Sequence, residues 1–201
     1  MDDDAELLDQ LRAGDEIAYS QMVERYHTRL VRFARSFVAS EAVAQEVAQE
    51  TWIAVLRGIE RFESRSSLQT WLFRICANRA RSIGVREQRV TATGPSEAAV
   101  SADRFDATGS WASPIVHWAE AVDEKLDAFA LADRVRRAIV ELPDSQRQVV
   151  TLRDAEGLSS SEVCEVLGIS EANQRVLLHR GRSRVRSALE RELAGGSSCG
   201  Y

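Results

Sequence analysis

The 201-residue chain is short of several things, and each shortage removes a class of protein. Cysteine occurs three times, at Cys76, Cys164 and Cys199, far apart and odd in number; this excludes a disulfide framework and fits a reducing compartment. There is no CxxC pair, and the three histidines (His27, His117, His179) have no ligand-like spacing, so no metal site is expected. No glycine-rich phosphate loop or nucleophile elbow occurs, and Cys76 and Ser110 have no base near them in sequence. No catalytic residue and no cofactor are therefore expected. Without a signal peptide or an apolar run of transmembrane length, the expected location is the cytoplasm, with no membrane insertion. Lysine is almost missing: of 26 basic residues only Lys125 is not arginine. The formal charge is −5 and the pI about 5.4, which does not announce a polyanion partner. An average can nevertheless hide a divided surface.

What is present is helical periodicity. From Asp15, with Gly14-Asp15 as break and cap, the apolar positions Tyr19, Met22, Val23, Tyr26, Leu30, Phe33, Ala34 and Phe37 recur at helical steps. A second helix after Ser40 has the inner stripe Val43, Ala44, Val47, Ala48, Trp52, Val55, Leu56 and Ile59. A polar loop, "ERFESRSSLQ", leads to a third helix from about Thr70 to Arg86, with Trp71, Leu72, Ile75, Cys76 and Ile83 inward. No period-2 strand is convincing, so the block reads as a helical bundle. From about 90 to 123 the composition turns to Ser, Thr, Gly and Ala and includes two of the three prolines, as in a linker. Phe105, Trp111, Pro114 and Trp118 are larger than a spacer needs.

Periodicity returns with Leu131, Val135, Ala138, Ile139 and Leu142, and Pro143 ends that helix. Asp144 or Ser145 is expected to cap the next, and Gly157 to stop it. Ser159 and Glu162 then form an S-x-x-E capping box for a short helix to Leu167, Gly168 turns the chain, and Ser170 caps a last helix to about Leu193. Short helix, glycine turn and basic helix make a helix-turn-helix. Its core is Val163, Leu167 and Ile169, with Cys164 as a small packing residue where the helices cross. On the last helix Leu178, Gly181, Val185 and Leu189 face inward, while Arg175, His179, Arg180, Arg182 and Arg186 populate the rest. No acid lies between Glu171 and Glu190, so the arginine row repels itself unless phosphates neutralise it. Duplex DNA is the expected partner, with the helix N-terminus in the major groove.

The first block is polarised too. Its second helix exposes Glu41, Gln45, Glu46, Gln49 and Glu50, with no Lys or Arg between Ser36 and Leu56. That is either a solvated acidic face or a docking surface for a basic protein. The third helix carries Arg74, Asn78 and Arg81 on one stripe, with Arg79 and Arg86 close by and the loop bearing Phe62 at its entrance. A basic stripe beside an aromatic loop suits single-stranded nucleic acid. Phe62 and Trp71 could equally be core residues; for Trp71 a mixed role is expected, its ring packed and its edge near DNA.

Taken together, "LVRFARSFV", "EVAQETWIAVLRGIERF" and "SLQTWLFRICANRAR" resemble region 2 of the extracytoplasmic-function sigma factors, small members of the sigma-seventy family. "LPDSQRQVVTLRDAEGLSSSEVCEVLGIS" followed by "LLHRGRSRVR" resembles their region 4. The resemblance implies an all-α fold of two small helical domains joined by an irregular linker: region 2 over 1–89, a linker over 90–125, region 4 over 126–194 and a disordered tail over 195–201. It implies a protein that binds core RNA polymerase, recognises the minus-ten and minus-thirty-five promoter elements, promotes melting and directs initiation. Glu46, Gln49 and Glu50 would bind the clamp helices of the largest polymerase subunit. Arg61, Phe62, Glu63, Ser64, Trp71, Arg74, Asn78 and Arg81 would hold the melted minus-ten element. Ser170, Glu171, Ala172, Asn173, Arg175, Val176, His179, Arg180 and Arg182 would meet the minus-thirty-five element. The helix from about Asp144 would reach the flap of the second-largest subunit, the linker would thread the active-site channel, and an anti-sigma factor would mask both basic surfaces.

Three departures from the family pattern stand out. "AVAQ" replaces a more acidic "DAED", Gln174 and Leu177 replace a β-branched and a basic residue, and Gly181 replaces an alanine. The residues also admit a two-domain helix-turn-helix regulator that acts without being a polymerase subunit.

Overall fold

A computed structural model describes residues 2–91 and 125–196, with side chains from 6 to 84 and from 132 to 191. Regular structure among them is entirely helical, in two groups. The first comprises α1 (Asp2–Arg12), α2 (Glu16–Ala34), α3 (Glu41–Gly58), a single 3₁₀ turn (Ile59–Arg61) and α4 (Leu68–Thr91). The second comprises α5 (Lys125–Val140), α6 (Asp144–Val150) running into a π-helical turn (Thr151–Ala155), α7 (Ser160–Leu167) and α8 (Glu171–Gly196). No helix among the described residues is long and apolar enough to cross a membrane.

Local chemistry sets the boundaries. Asp15 caps α2 by accepting from the Ile17 and Ala18 amides, and Ser40 caps α3 through Val43. Ser67 does the same for α4, its hydroxyl accepting from the Thr70 amide at 3.1 Å. The capping box of α7 is complete, with the Ser159 hydroxyl taking the Glu162 amide and the Glu162 carboxylate taking the Ser159 amide. Gly168 ends α7 at φ 65°, a left-handed conformation that costs a glycine nothing and most other residues about 1–2 kcal/mol. At α6 the expectation fails. Pro143 occupies the N-cap, and neither Asp144 nor Ser145 caps with its side chain. Proline supplies a fixed φ and its carbonyl takes the amides of Gln146 and Arg147.

The first group packs around Met22, Leu30, Phe33, Val47, Val55, Leu72, Phe73 and Cys76, all 0–1 % exposed. Phe33 meets Phe73 edge to face at 5.3 Å. Leu56, read from the sequence as part of the inner stripe, is 55 % exposed, and Phe73 takes a core place the pattern did not assign. The second group has a core of Ala138, Leu142, Val150, Val185 and Leu189. Its remaining apolar residues, Val149, Leu152, Leu158, Val163, Val166 and Leu167, belong to the same buried cluster as the first group. The two groups thus pack on each other, α7 lying against α4. Phe105, Trp111, Pro114 and Trp118 and the tail beyond 196 lie outside the described residues.

Candidate nucleic-acid interface

The entrance to α4 stores backbone strain. Ser64 sits at φ 54°, the one non-glycine residue with positive φ among those described, at a cost on the order of 1–2 kcal/mol. Around it Arg61, Glu63 and Arg65 are exposed, Glu63 paired with Arg65 at 3.0 Å. Phe62 is not part of this open surface. Its ring is 6 % exposed and lies 4.8 Å from that of Trp71, and its carbonyl accepts from Arg12. Trp71 is half-buried, its ring packed against Phe62 on one side and close to Gly58.

Along α4, Arg74, Asn78 and Arg81 share one face at helical spacing. Arg81 donates to the Asn78 side chain at 3.3 Å. Arg74 pairs with Glu165 of α7 at 2.9 Å, and Arg81 also donates to the carbonyls of Val166 and Leu167. Partial burial pulls the Arg81 guanidinium below its ordinary value. The stripe expected to meet nucleic acid therefore faces the second group.

On α8 the expected row is present, and its charges are less lonely than the sequence suggested. Arg182 makes two hydrogen bonds to Asp154, at 3.0 and 2.5 Å, and Arg175 pairs with Glu171 at 3.2 Å. Asp154 is 28 residues away in sequence. That distance is why the reading of an unbalanced row missed it. Arg184 and Arg186 have no ion-pair partner among the described residues, so self-repulsion is confined to part of the row. His179 is half-buried, and burial, helped by Arg182 and Arg186 and opposed by a backbone hydrogen bond, pushes its imidazole pKa below the ordinary value. Glu171, Ala172, Asn173, Arg175 and Val176 are exposed at the start of α8, where Ser170 accepts from the Asn173 amide. Cys164 is half-buried, with its thiol pKa raised chiefly by desolvation, as suits a packing residue.

Two of the departures on α8 have a structural counterpart. Gly181 is buried, and a Cβ there would lie 2.5 Å from a methyl of Val150, so α8 crosses α6 too closely for alanine. Gln174 is fully buried, and neither amide atom has a hydrogen-bond partner. Leu177 is half-buried against the cluster shared by both groups.

The acidic face of α3 is exposed at Glu46 and Gln49, and Glu50, half-buried, lies 3.9 Å from Arg79. Ile53 at 47 % and Leu56 at 55 % exposure continue that face one and two turns on. Both were missed. A helical wheel centred between Glu46 and Glu50 would have found Ile53 at the expected i+3/i+7 spacing.

Comparison with known proteins agrees with this geometry. The profile described as Sigma-70 region 2 matches residues 22–90, and that described as Sigma-70, region 4 matches residues 132–185. An RNA polymerase sigma-H factor of Pseudomonas aeruginosa is 28% identical over 187 residues, covering 93% of this chain and 94% of the relative. An ECF RNA polymerase sigma-E factor of Salmonella typhimurium is 26% identical, covering 90% and 92%. Among solved structures, the sigma factor RpoE of Bartonella quintana, in complex with the anti-sigma factor NepR, shares the fold at TM-score 0.58 and 22% identity, covering 86% of this chain and 96% of its own. With the models of both helical regions matched in order across most of its length, the chain belongs to the sigma-70 family, in the extracytoplasmic-function group of alternative sigma factors.

Proposed function

We propose that this chain binds core RNA polymerase in the cytoplasm, recognises both promoter elements, assists melting and directs initiation, and has no catalytic role of its own. The single observation that carries the reading is the pairing of a basic α4 stripe with a helix-turn-helix whose second helix begins with exposed polar residues. Unpaired strand and duplex call for different chemistry, and the chain holds both. At the minus-ten element, Arg61, Glu63 and Ser64 form the open rim, Trp71 offers a ring edge, and Arg74, Asn78 and Arg81 the polar stripe. Phe62 serves from beneath, holding the Trp71 ring in place. At the minus-thirty-five element, Ser170 to Asn173 and Arg175, Val176, His179 and Arg180 approach the groove, with Arg182 on a flanking phosphate.

On α3, Glu46, Gln49 and Glu50 form a charged rim beside Ile53 and Leu56, a pattern suited to a basic helical partner with an apolar centre, such as the polymerase clamp. Region 2 over 1–89 and region 4 over 126–194 are the working units, with 90–125 as the linker in the polymerase channel and α6 against the flap. An anti-sigma protein that covers both basic surfaces is the expected negative partner. Sequencing of transcript 5′ ends, made by core polymerase with and without this protein on genomic DNA, tests the reading. New starts preceded by two shared sequence elements are expected. A polymerase that binds the protein and starts nowhere new refutes it, as does tight, selective duplex binding by the free protein with no effect on polymerase.

A further inference from the structure

The π-helical turn after α6 is closed by the Glu156 amide on the Thr151 carbonyl at 2.9 Å and the Leu158 amide on the Leu152 carbonyl at 3.0 Å. Leu152 is fully buried, and Arg153 donates to the Leu158 carbonyl, so the backbone that carries Asp154 is held in place. On the facing helix, Gly181 brings α8 close against Val150 and Gln146, which fixes the root of the Arg182 side chain. Between these two anchored points Arg182 donates through Nε and Nη2 to the two oxygens of Asp154, at 3.0 and 2.5 Å. Paired hydrogen bonds of this kind set the plane of the guanidinium as well as its position. Asp154 holds the Arg182 guanidinium above its ordinary value by hydrogen bonding, and desolvation offsets part of that. The two side chains remain 55% and 34% exposed, so a phosphate can still reach the arginine. Glu171 and Arg175 make a looser pair, with one contact at 3.2 Å between residues one turn apart.

Resting on the reading of Arg182 as a phosphate contact, we propose that Asp154 is a positioning residue that sets the selectivity of α8 for its duplex. A guanidinium has five N–H donors, and the carboxylate takes two of them. The rest are presented in one orientation, which a phosphate meets only when the recognition helix is seated in its proper register. In any other register the carboxylate cancels the arginine charge, and Arg182 adds nothing to the general attraction of the backbone. Selectivity rises because affinity for the wrong duplex falls, which is how a repulsive group discriminates. Arg184 and Arg186, both exposed, supply the general attraction instead.

The test uses the full-length protein and a labelled mixed-sequence duplex, with fluorescence anisotropy over a series of salt concentrations. Asp154→Asn is expected to bind this duplex about fivefold more tightly, the most that one exposed ion pair withholds. Its log–log salt slope is expected to steepen by about one, for one added phosphate. A merely structural role for Asp154 would lower affinity, not raise it. Asp154→Asn/Arg182→Gln is expected to lose the gain. Glu190→Gln removes a charge from the same helix two turns beyond Arg182, and is expected to change affinity less than about twofold. Equal affinity of Asp154→Asn and the wild type overturns the proposal, as does an equal gain from Glu190→Gln. With core polymerase, the second readout is the transcript ratio between a promoter and the same promoter with its upstream duplex scrambled. Asp154→Asn is expected to lower that ratio about fivefold by gaining on the scrambled template; an unchanged ratio overturns the selectivity role. A wild-type chain that starts no transcript refutes the promoter reading instead, and the duplex comparison still decides the role of Asp154.

Discussion

At the scale of single residues, the departures of α8 from the family pattern are the most informative. Gln174 buries an amide with no partner, which costs about 1–3 kcal/mol. Gln174→Met keeps the volume and removes both orphan atoms. It is expected to gain about 1 kcal/mol and raise Tm by about 2–4 °C by calorimetry; a lower Tm would show that the amide has a partner in solution. Gly181→Ala tests a conflict between two effects. Helix propensity favours alanine by about 1 kcal/mol, while the methyl would collide with Val150 at 2.5 Å and overpack the junction by about 1–3 kcal/mol. The collision wins, so Tm is expected to fall. The sequence showed that both positions were unusual. It could not show what stood opposite them, because Val150 and Gln146 come from another helix. The charge of α8 was half-read for the same reason: Glu171 lies within one turn, whereas Asp154 reaches Arg182 only through the fold.

At the scale of elements, caps and turns were the legible part. Asp15, Ser40, Ser159 with Glu162, Gly168 and Ser170 act within four residues of themselves, and each is found where local chemistry placed it. Faces were read less sharply. Leu56 and Phe73 sit at the edges of their stripes, where a shift of one residue changes burial and only the neighbouring helix decides it. The π turn at 151–155 left no signal, since nothing in "TLRDA" differs from ordinary helix. Nor did α1, whose Leu8 and Leu11 are buried although its composition is mostly polar. On α3 the corrected face yields a prediction. Ile53→Ala removes an exposed side chain, so the unfolding free energy should change by no more than about 0.5 kcal/mol. Affinity for core polymerase, measured by biolayer interferometry, should drop about tenfold if Ile53 is the apolar centre of that surface. Unchanged affinity would move the docking site elsewhere.

At the scale of the whole molecule, the packing of α7 on α4 was beyond the sequence. Glu162 reads as a capping residue, and its second role needs Ser67 and Thr70 from the other group. That role has a pH signature. Hydrogen bonds from Thr70, then from Ser159 and Ser67, outweigh desolvation and hold the Glu162 carboxyl at about 2, against an ordinary 4.5. A depressed carboxylate contributes stability that is fully present above the ordinary value and lost as pH falls through the folded one. Thermal stability should therefore fall between pH 4.5 and about 2, and less steeply in Glu162→Gln. Equal slopes in the two proteins would mean that Glu162 does not hold the junction in solution.

The central claim is a division of labour, one helical group on polymerase and the unpaired strand, the other on duplex upstream. Footprinting of the reconstituted holoenzyme on a promoter it starts from, with nuclease for duplex and permanganate for unpaired thymines, addresses both halves in one measurement. Protected duplex upstream is expected, together with reactive thymines nearer the start, and Asn78→Ala should keep the protection while losing the reactivity. Normal opening by Asn78→Ala, or duplex protection over both elements with no unpaired base, would contradict the account.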